Sequence, residues 1–242
     1  MQCVVLAGGL GTRMLPATEV VPKAMLEVAG RPFVAWQLDR LAEGGIDDLV
    51  FCTGHLGDQI EAFVGDGAEW GISVRYSSDG ETLCGTGGAL RLALDRNLLA
   101  EQFLVTYGDA YLQVDLRRLH EQLDVAAGPV VMTVWRNAGR IVPSNADFDG
   151  TSVTYRKGDA DPALEYVDYG MLAMRRAVVD GIEAGVVVDL ASVLEALSAS
   201  GRLGGLEVAE RCYEIGSTEG LEALDRYLGD REAGGTAGHG IR

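Results

Sequence analysis

The stretch Leu6-Ala7-Gly8-Gly9-Leu10-Gly11-Thr12-Arg13 decides how the rest of the chain is read. It follows directly on the apolar, strand-like run Gln2–Ala7. Glycine has no Cβ, so the backbone N–H groups of such a turn can approach phosphate oxygens closely. Two familiar phosphate motifs do not fit. A dinucleotide fingerprint starting at Gly9 needs glycine where Met14 stands, and no clear acidic partner follows a second strand. A Walker loop needs Gly-Lys-Ser/Thr, which the sequence lacks. From spacing alone the segment is either a phosphate-binding turn or a tight turn with a solvated Arg13.

Outward from it, strands and helices alternate. Pro32 starts a helix whose Phe33, Val34, Leu38 and Leu41 fall at helical spacing, and Gly44-Gly45 stops it. Residues 49–52 read as a strand, 58–64 as a helix, 72–76 as a strand and 86–94 as a helix. Residues 103–106 form a buried strand that ends at Tyr107-Gly108-Asp109. This rhythm predicts an α/β fold with a doubly wound, mostly parallel central sheet, Rossmann-like in kind. In such sheets the ligand lies outside the carboxyl ends of the strands. Beyond Pro129 the texture shifts: 130–135, 151–155 and 166–174 resemble strands, 190–197 a helix, and a short strand lies near Tyr213. A last helix covers 217–227 with Ser217 as its cap. No repeat and no linker interrupts the pattern, so one domain over 1–230 is expected, with 231–242 as a flexible tail.

With 242 residues, 48% of them hydrophobic and 23% charged, the chain can bury the core of one large domain. No apolar run approaches the ~20 residues of a membrane span. Residues 1–7 are too short for a signal peptide and lack a basic region. Cys3, Cys52, Cys84 and Cys212 are scattered without a C-x-x-C pair, which fits free thiols and a cytoplasmic location. His55, His120 and His239 lack zinc-ligand spacing. The net charge of −16 argues against nucleic acid and anionic membrane as partners. A polyanionic ligand would therefore need local cations or metal ions. Of the 20 basic residues only Lys23 and Lys157 are lysines, compact charges unlike the arginine fork.

The longer pattern Gly8-Gly9-x-Gly11-Thr12-Arg13, then Pro22-Lys23, then Gly30-Arg31-Pro32 resembles the signature of the sugar-1-phosphate nucleotidyltransferases. The resemblance runs to about Tyr227 and is nearest to the short bacterial branch of heptose- and mannose-1-phosphate guanylyltransferases. His55-Leu56-Gly57-Asp58-Gln59-Ile60 and Phe63-Val64-Gly65-Asp66-Gly67 add to it. It implies a GT-A-type fold, with residues 1–110 as the nucleotide-binding half and 111–230 as the sugar-phosphate-binding half. It also implies the partners, a nucleoside triphosphate and a sugar 1-phosphate, with a homo-oligomer compatible. A sugar phosphate oxygen attacks the α-phosphorus in line and pyrophosphate leaves, so the enzyme positions polyanions and neutralises charge. The resemblance puts Arg13 on the β/γ-phosphates and Lys23 near the α-phosphate and the attacking phosphate. Leu6, Ala7, Gly8, Gly9, Gly11 and Thr12 would then contact nucleotide. The branch points to GTP, although these residues do not themselves decide the base.

Glu81-Thr82-Leu83-Cys84-Gly85-Thr86-Gly87-Gly88 is similar to the family's Leu-Gly-Thr-x-Gly element, with Cys84 inserted. It implies Gly85, Thr86 and Glu81 on the base side; the bland reading is a glycine-rich loop capped by Thr86. Asp109 occupies the family's metal position and would ligate Mg²⁺, which takes hard oxygen ligands and keeps phosphates and waters as the rest of its shell. Tyr213-Glu214-Ile215-Gly216-Ser217 aligns with an aromatic-Asp-x-Gly-Thr segment, making Glu214 the second metal carboxylate, with Glu in place of Asp. On the acceptor side Lys157, Asp168 and Gly170 stand where relatives hold the sugar phosphate. Arg156, Asp168 and Tyr169 depart from the commonest form. Two other readings stay open. A cytidylyltransferase for a phosphate such as phosphocholine would use an aromatic, acidic pocket, for which Tyr166, Asp168 and Tyr169 are available. A non-catalytic nucleotide-sensing homologue would have less need of Arg13, Lys23 and Asp109.

Overall fold

The computed structural model describes residues 1–80, 82–137, 142–158 and 163–236, and of 232–236 the backbone only. In chain order the elements are β1 (Gln2–Ala7), the paired β2 and β3 (Glu27–Val28, Arg31–Pro32), α1 (Phe33–Glu43), β4 (Asp48–Thr53) and α2 (Gly57–Val64). Next come β5 (Ser73–Ser78), α3 (Gly85–Asp95), β6 (Gln102–Tyr107), β7 (Ala110–Tyr111) and α4 (Leu116–Val125). The second half holds β8 (Val130–Arg136), β9 (Ala146–Phe148), β10 (Val153–Tyr155), β11 (Tyr166–Arg175) and α5 (Arg176–Asp180). It closes with α6 (Leu190–Ala199), β12 (Leu203–Val208), β13 (Tyr213–Glu214) and α7 (Thr218–Thr236).

Among the described residues nine strands form one sheet in the order β10-β9-β11-β6-β1-β4-β5, with β8 on β11 and β12 on β8. β1, β4, β5 and β6 are mutually parallel, and β12 is parallel to β8. Only β10 and β11 run against the others, so the sheet is mostly parallel as expected. The reason lies in β1, whose apolar run is buried on both faces. Because side chains alternate along a strand, Val4 and Leu6 join the layer of α3 and α6, around Leu90, Ala93, Leu190 and Leu194. Cys3 and Val5 join the opposite layer of α1 and α4, around Val34, Leu38, Leu119 and Leu123. A third cluster of Val28, Phe33, Tyr111, Ile215, Leu224 and Leu228 ties α7 back onto the first half.

The sequence reading left out α4 and β12. Apart from the exposed Val125, α4 is polar except for Leu116, Leu119 and Leu123, a single narrow stripe that packs inward. β12 reads Leu-Gly-Gly-Leu-Glu-Val, where two glycines depress strand propensity, yet it pairs with β8 over its whole length. Ser217 caps α7 as expected, its Oγ accepting from the Gly220 amide at 3.1 Å. The helix then continues to Thr236, so residues 231–236 are helical rather than a flexible tail; residues 237–242 lie outside the described part. Among the described residues no helix is long and apolar enough to cross a membrane.

Candidate active site

Four parallel strands end at one edge, and each hands a short loop to the same cleft. β1 runs into Gly8 and Gly9, β4 into Gly54, β5 into Asp79, and β6 into Gly108-Asp109. The cleft has a volume of about 240 Å³, and Gly8, Gly9, Lys23, Asp79, Gly85, Thr86 and Asp109 line it, together with Leu6 and Ala7. Backbone packs on backbone here. A Cβ on Gly54 would stand 2.7 Å from the Gly8 carbonyl oxygen and 3.0 Å from its Cα. Nothing in the sequence reading singled out Gly54, because its demand arises only when β1 and β4 lie side by side. Gly11 adopts φ +64° and starts the turn Thr12–Met14; its carbonyl accepts from Met14 N at 2.8 Å and from Thr18 Oγ1 at 2.9 Å. Gly11 and Thr12 shape the loop that carries Arg13 and are not part of the cleft lining.

Lys23 follows Pro22 into a short turn, and its Nζ meets Asp109 Oδ2 at 2.8 Å, with the side chains 18% and 24% exposed. The turn that carries Asp109 is held from below by Gln37 of α1. Its Nε2 donates to the Tyr107 carbonyl at 2.8 Å and to the Ala110 carbonyl at 2.9 Å, from a buried position. Sequence reasoning missed Gln37; the signal was a polar residue on the buried face of a helix otherwise lined by Phe33, Val34, Ala35, Leu38 and Leu41.

β13 pairs with β7, setting Glu214 opposite Ala110, and the Ile215 amide donates to the Asp109 carbonyl at 2.9 Å. The backbone at Glu214 is thus brought alongside the Asp109 turn. Arg13 arrives at the same corner. A Cβ on Gly216 would stand 3.0 Å from Arg13 Nη2 and 3.5 Å from Glu214 Oε2. No group of three or more His, Cys, Asp or Glu side chains gathers among the described residues. Asp109 lines the cleft, whereas Glu214 and Arg13 lie outside its lining; a single hard carboxylate there fits a divalent ion that draws its other ligands from substrate and water.

Residues 3–233 match the MobA-like NTP transferase domain. The chain belongs to that family. It is 29% identical to the N-acetylmuramate alpha-1-phosphate uridylyltransferase of Neisseria meningitidis serogroup B, over 95% of this chain and 99% of that protein. It is 31% identical to the mannose-1-phosphate guanylyltransferase of Mycobacterium tuberculosis, over 90% of this chain and 62% of that protein. Heptose 1-phosphate guanylyltransferases also match, over about half of their length. The chain therefore spans nearly all of one relative and between half and two-thirds of others. HddC from Yersinia pseudotuberculosis, solved in complex with GMP-PN, superposes with a TM-score of 0.74 at 20% identity, covering 94% of this chain and 99% of that one. That likeness shows a shared nucleotidyltransferase fold.

In this MobA-like transferase the glycine-rich loop that opens α3 is tied down by the second half. The amides of Gly87 and Gly88 donate to the Val188 carbonyl at 2.8 and 3.2 Å, and Thr86 Oγ1 donates to Asp189 at 3.1 Å while accepting from Leu190 N. The hydroxyl of Thr86 and these two amides are thus committed to protein. Glu81 lies outside the described residues. Lys157 Nζ forms an ion pair with Asp189, so Lys157, itself outside the cleft lining, connects through one carboxylate to Thr86, which lines it. Burial pushes Asp189 up, but Lys157, the Ala191 amide and Thr86 outweigh it and hold the group below its ordinary value.

Asp168 and Gly170 sit on β11 at a bulge between Asp168 and Leu172. Gly170 takes φ +94°, and its amide donates to Asp168 Oδ1 at 2.9 Å. Burial pushes Asp168 up to about 6, against the pull of that amide. Tyr166 and Tyr169, the aromatics that a choline pocket would need, are buried at 8% and 2% exposure and belong to the core. They form no open aromatic box.

Proposed function

We propose that this chain couples a nucleoside triphosphate to a sugar 1-phosphate, giving a nucleotide sugar and pyrophosphate. The observation that carries the reading is the convergence of a glycine loop, Lys23 and Asp109 on one cleft at the carboxyl ends of β1 and β6. In a protein of net charge −16, Lys23 brings a positive charge into the cleft where two phosphorylated reactants must approach each other. Lys23, a point charge set by its contact with Asp109, steadies the α-phosphate and the attacking phosphate. Arg13, whose fork suits bidentate phosphate recognition, takes the β/γ-phosphates and the charge that develops on leaving pyrophosphate. Asp109 and Glu214 would hold Mg²⁺, which supplies charge neutralisation on the phosphates when bound. Gln37 keeps the Asp109 turn in place, and no protein nucleophile is required.

The relatives differ in base: one is named a uridylyltransferase and another a guanylyltransferase. We favour GTP for this chain, on its similarity to the heptose- and mannose-1-phosphate guanylyltransferases. Lys157, Asp168 and Gly170 form the acceptor wall in this reading, and the sugar, the anomer and a cyclitol alternative are left to experiment. The test crosses GTP, UTP, CTP and ATP with a panel of hexose, heptose, amino-sugar and cyclitol 1-phosphates, magnesium present, and follows pyrophosphate release. Release with one pair in preference is expected. If none of the pairs releases pyrophosphate, the catalytic reading fails and a nucleotide-sensing role takes its place.

A further inference from the structure

One carboxylate, that of Asp189, serves both halves of the molecule. Asp189 precedes α6, and its Oδ1 accepts from the Ala191 amide at 3.1 Å. The same Oδ1 accepts from the Thr86 hydroxyl at 3.1 Å, and that hydroxyl in turn accepts from the Leu190 amide at 2.8 Å. Thr86 lies in the first turn of α3 and lines the cleft. Capping a helix asks for one acceptor oxygen, which Ser or Asn supplies equally well. The second oxygen and the charge of Asp189 go elsewhere: Oδ2 pairs with Nζ of Lys157, one of the chain's two lysines. The backbone of Lys157 is anchored separately, its amide donating to Glu195 Oε1 of α6 at 2.7 Å. The field of Asp189 also reaches the cleft wall. Burial raises the pKa of Tyr107, which lines the cleft, and the charges of Asp168, Asp189 and Asp109 add to the rise.

We propose that Asp189 is a positioning residue that holds Lys157 ready for the acceptor phosphate, while Thr86 and the Ala191 amide fix the carboxylate itself. This rests on the nucleotidyltransferase reading, in which Lys157 meets the sugar phosphate. Lysine carries its charge on a flexible four-carbon stem, and a side chain 55% exposed would otherwise sweep through solvent. The ion pair does not lock the lysine away. Exposed pairs shift an equilibrium by about fivefold at most, and a phosphate monoester carries more charge than a carboxylate, so it can draw the ammonium over. In ground-state binding two effects of Asp189 oppose each other. Ordering Lys157 in advance favours the acceptor, and repulsion between the two anions disfavours it. Alignment counts most in the transition state, where the attacking oxygen must lie in line with the α-phosphorus. Asp189 therefore acts on turnover more than on acceptor affinity.

Steady-state kinetics of the wild type, Asp189→Asn, Lys157→Met and the double variant test this, with the most active triphosphate and sugar 1-phosphate pair of the panel above. Asparagine keeps an acceptor oxygen for Ala191 and Thr86 and loses the charge that holds Lys157. Asp189→Asn should lower kcat about 10-fold while the KM for the sugar phosphate moves by less than about threefold. Lys157→Met should raise that KM about 10-fold or more. In the Lys157→Met background the kcat loss from Asp189→Asn should vanish, because no lysine is left to position. There the same change should lower the sugar-phosphate KM, since an unpaired carboxylate only repels. Asp189→Ser keeps a capping hydroxyl and should give the same pattern, which covers an Asp189→Asn that folds poorly. An unchanged kcat in the folded single variant, or a kcat loss that persists in full without Lys157, overturns the assignment. A wild type that releases no pyrophosphate with any pair overturns the nucleotidyltransferase reading itself.

Discussion

The contact between Lys23 and Asp109 joins stability to chemistry, and a double-mutant cycle with Lys23→Met and Asp109→Asn separates the two. At 2.8 Å the pair has a gross attraction of about 6 kcal/mol for an effective dielectric constant near 20. Most of this offsets desolvation, because both side chains are largely removed from water, at 18% and 24% exposure. A net cost of about 1–2 kcal/mol is expected for Lys23→Met, between exposed pairs and fully buried ones. The cost arises because Asp109 keeps its charge and loses its partner. Asp109→Asn should cost less, since a lysine can swing its ammonium toward water. The double variant should be more stable than the sum of the single effects implies, by about 1 kcal/mol. Thermal unfolding reads this as a Tm drop of roughly 2–8 °C for Lys23→Met in a domain of this size. Millimolar magnesium should raise the Tm of Lys23→Met more than that of the wild type, since a cation then supplies what Asp109 lacks. Turnover should nevertheless fall about 100-fold or more, because the missing charge acts on the transition state. Additive single effects, or equal magnesium shifts in both proteins, would refute the reasoning.

Other expectations follow from single contacts. Gly54→Ala drives a methyl against the Gly8 backbone, so it should cost about 1–3 kcal/mol and raise KM for the nucleotide as the phosphate loop shifts; urea unfolding and steady-state kinetics check both. Gln37→Met keeps volume but leaves the Tyr107 and Ala110 carbonyls without their shared donor, and should lower stability by about 1–3 kcal/mol and depress kcat; unchanged kcat in a folded variant would refute its positioning role. Asp168 has a folded pKa near 6, above the unfolded value of about 3.9, so the folded state holds that proton more tightly. Its contribution therefore favours folding below pH 4 and is lost as pH rises through 6. Relative to Asp168→Asn, the wild type should lose up to about 3 kcal/mol between pH 4 and pH 7, read by denaturant unfolding across that range.

Local chemistry made much of this molecule legible in the linear chain. The apolar run of β1, the glycines behind it and the spacing of Phe33, Val34, Leu38 and Leu41 in α1 report short-range patterns, and they give the doubly wound half of the sheet. The same holds for Lys23, Asp109 and the Gly8-Gly9 turn, whose residue types suit phosphate chemistry wherever a strand delivers them. α4 and β12 escaped because their stability comes from partners: a thin leucine stripe in one, and a glycine-weakened strand held by β8 in the other.

Tertiary structure alone decided the contacts that pair residues distant in the chain. The chain at Glu214 comes beside the Asp109 turn only through the β7–β13 pairing, and Gly54 must lack a side chain only because β4 lies against β1. Gln37 works on carbonyls that β6 and β7 bring above α1, and Asp79 lines the cleft only because β5 ends in the same row as β4, β1 and β6. Composition and spacing encode which elements form. The free energy of burying their shared faces selects which loops meet, and that selection depends on the whole packed sheet.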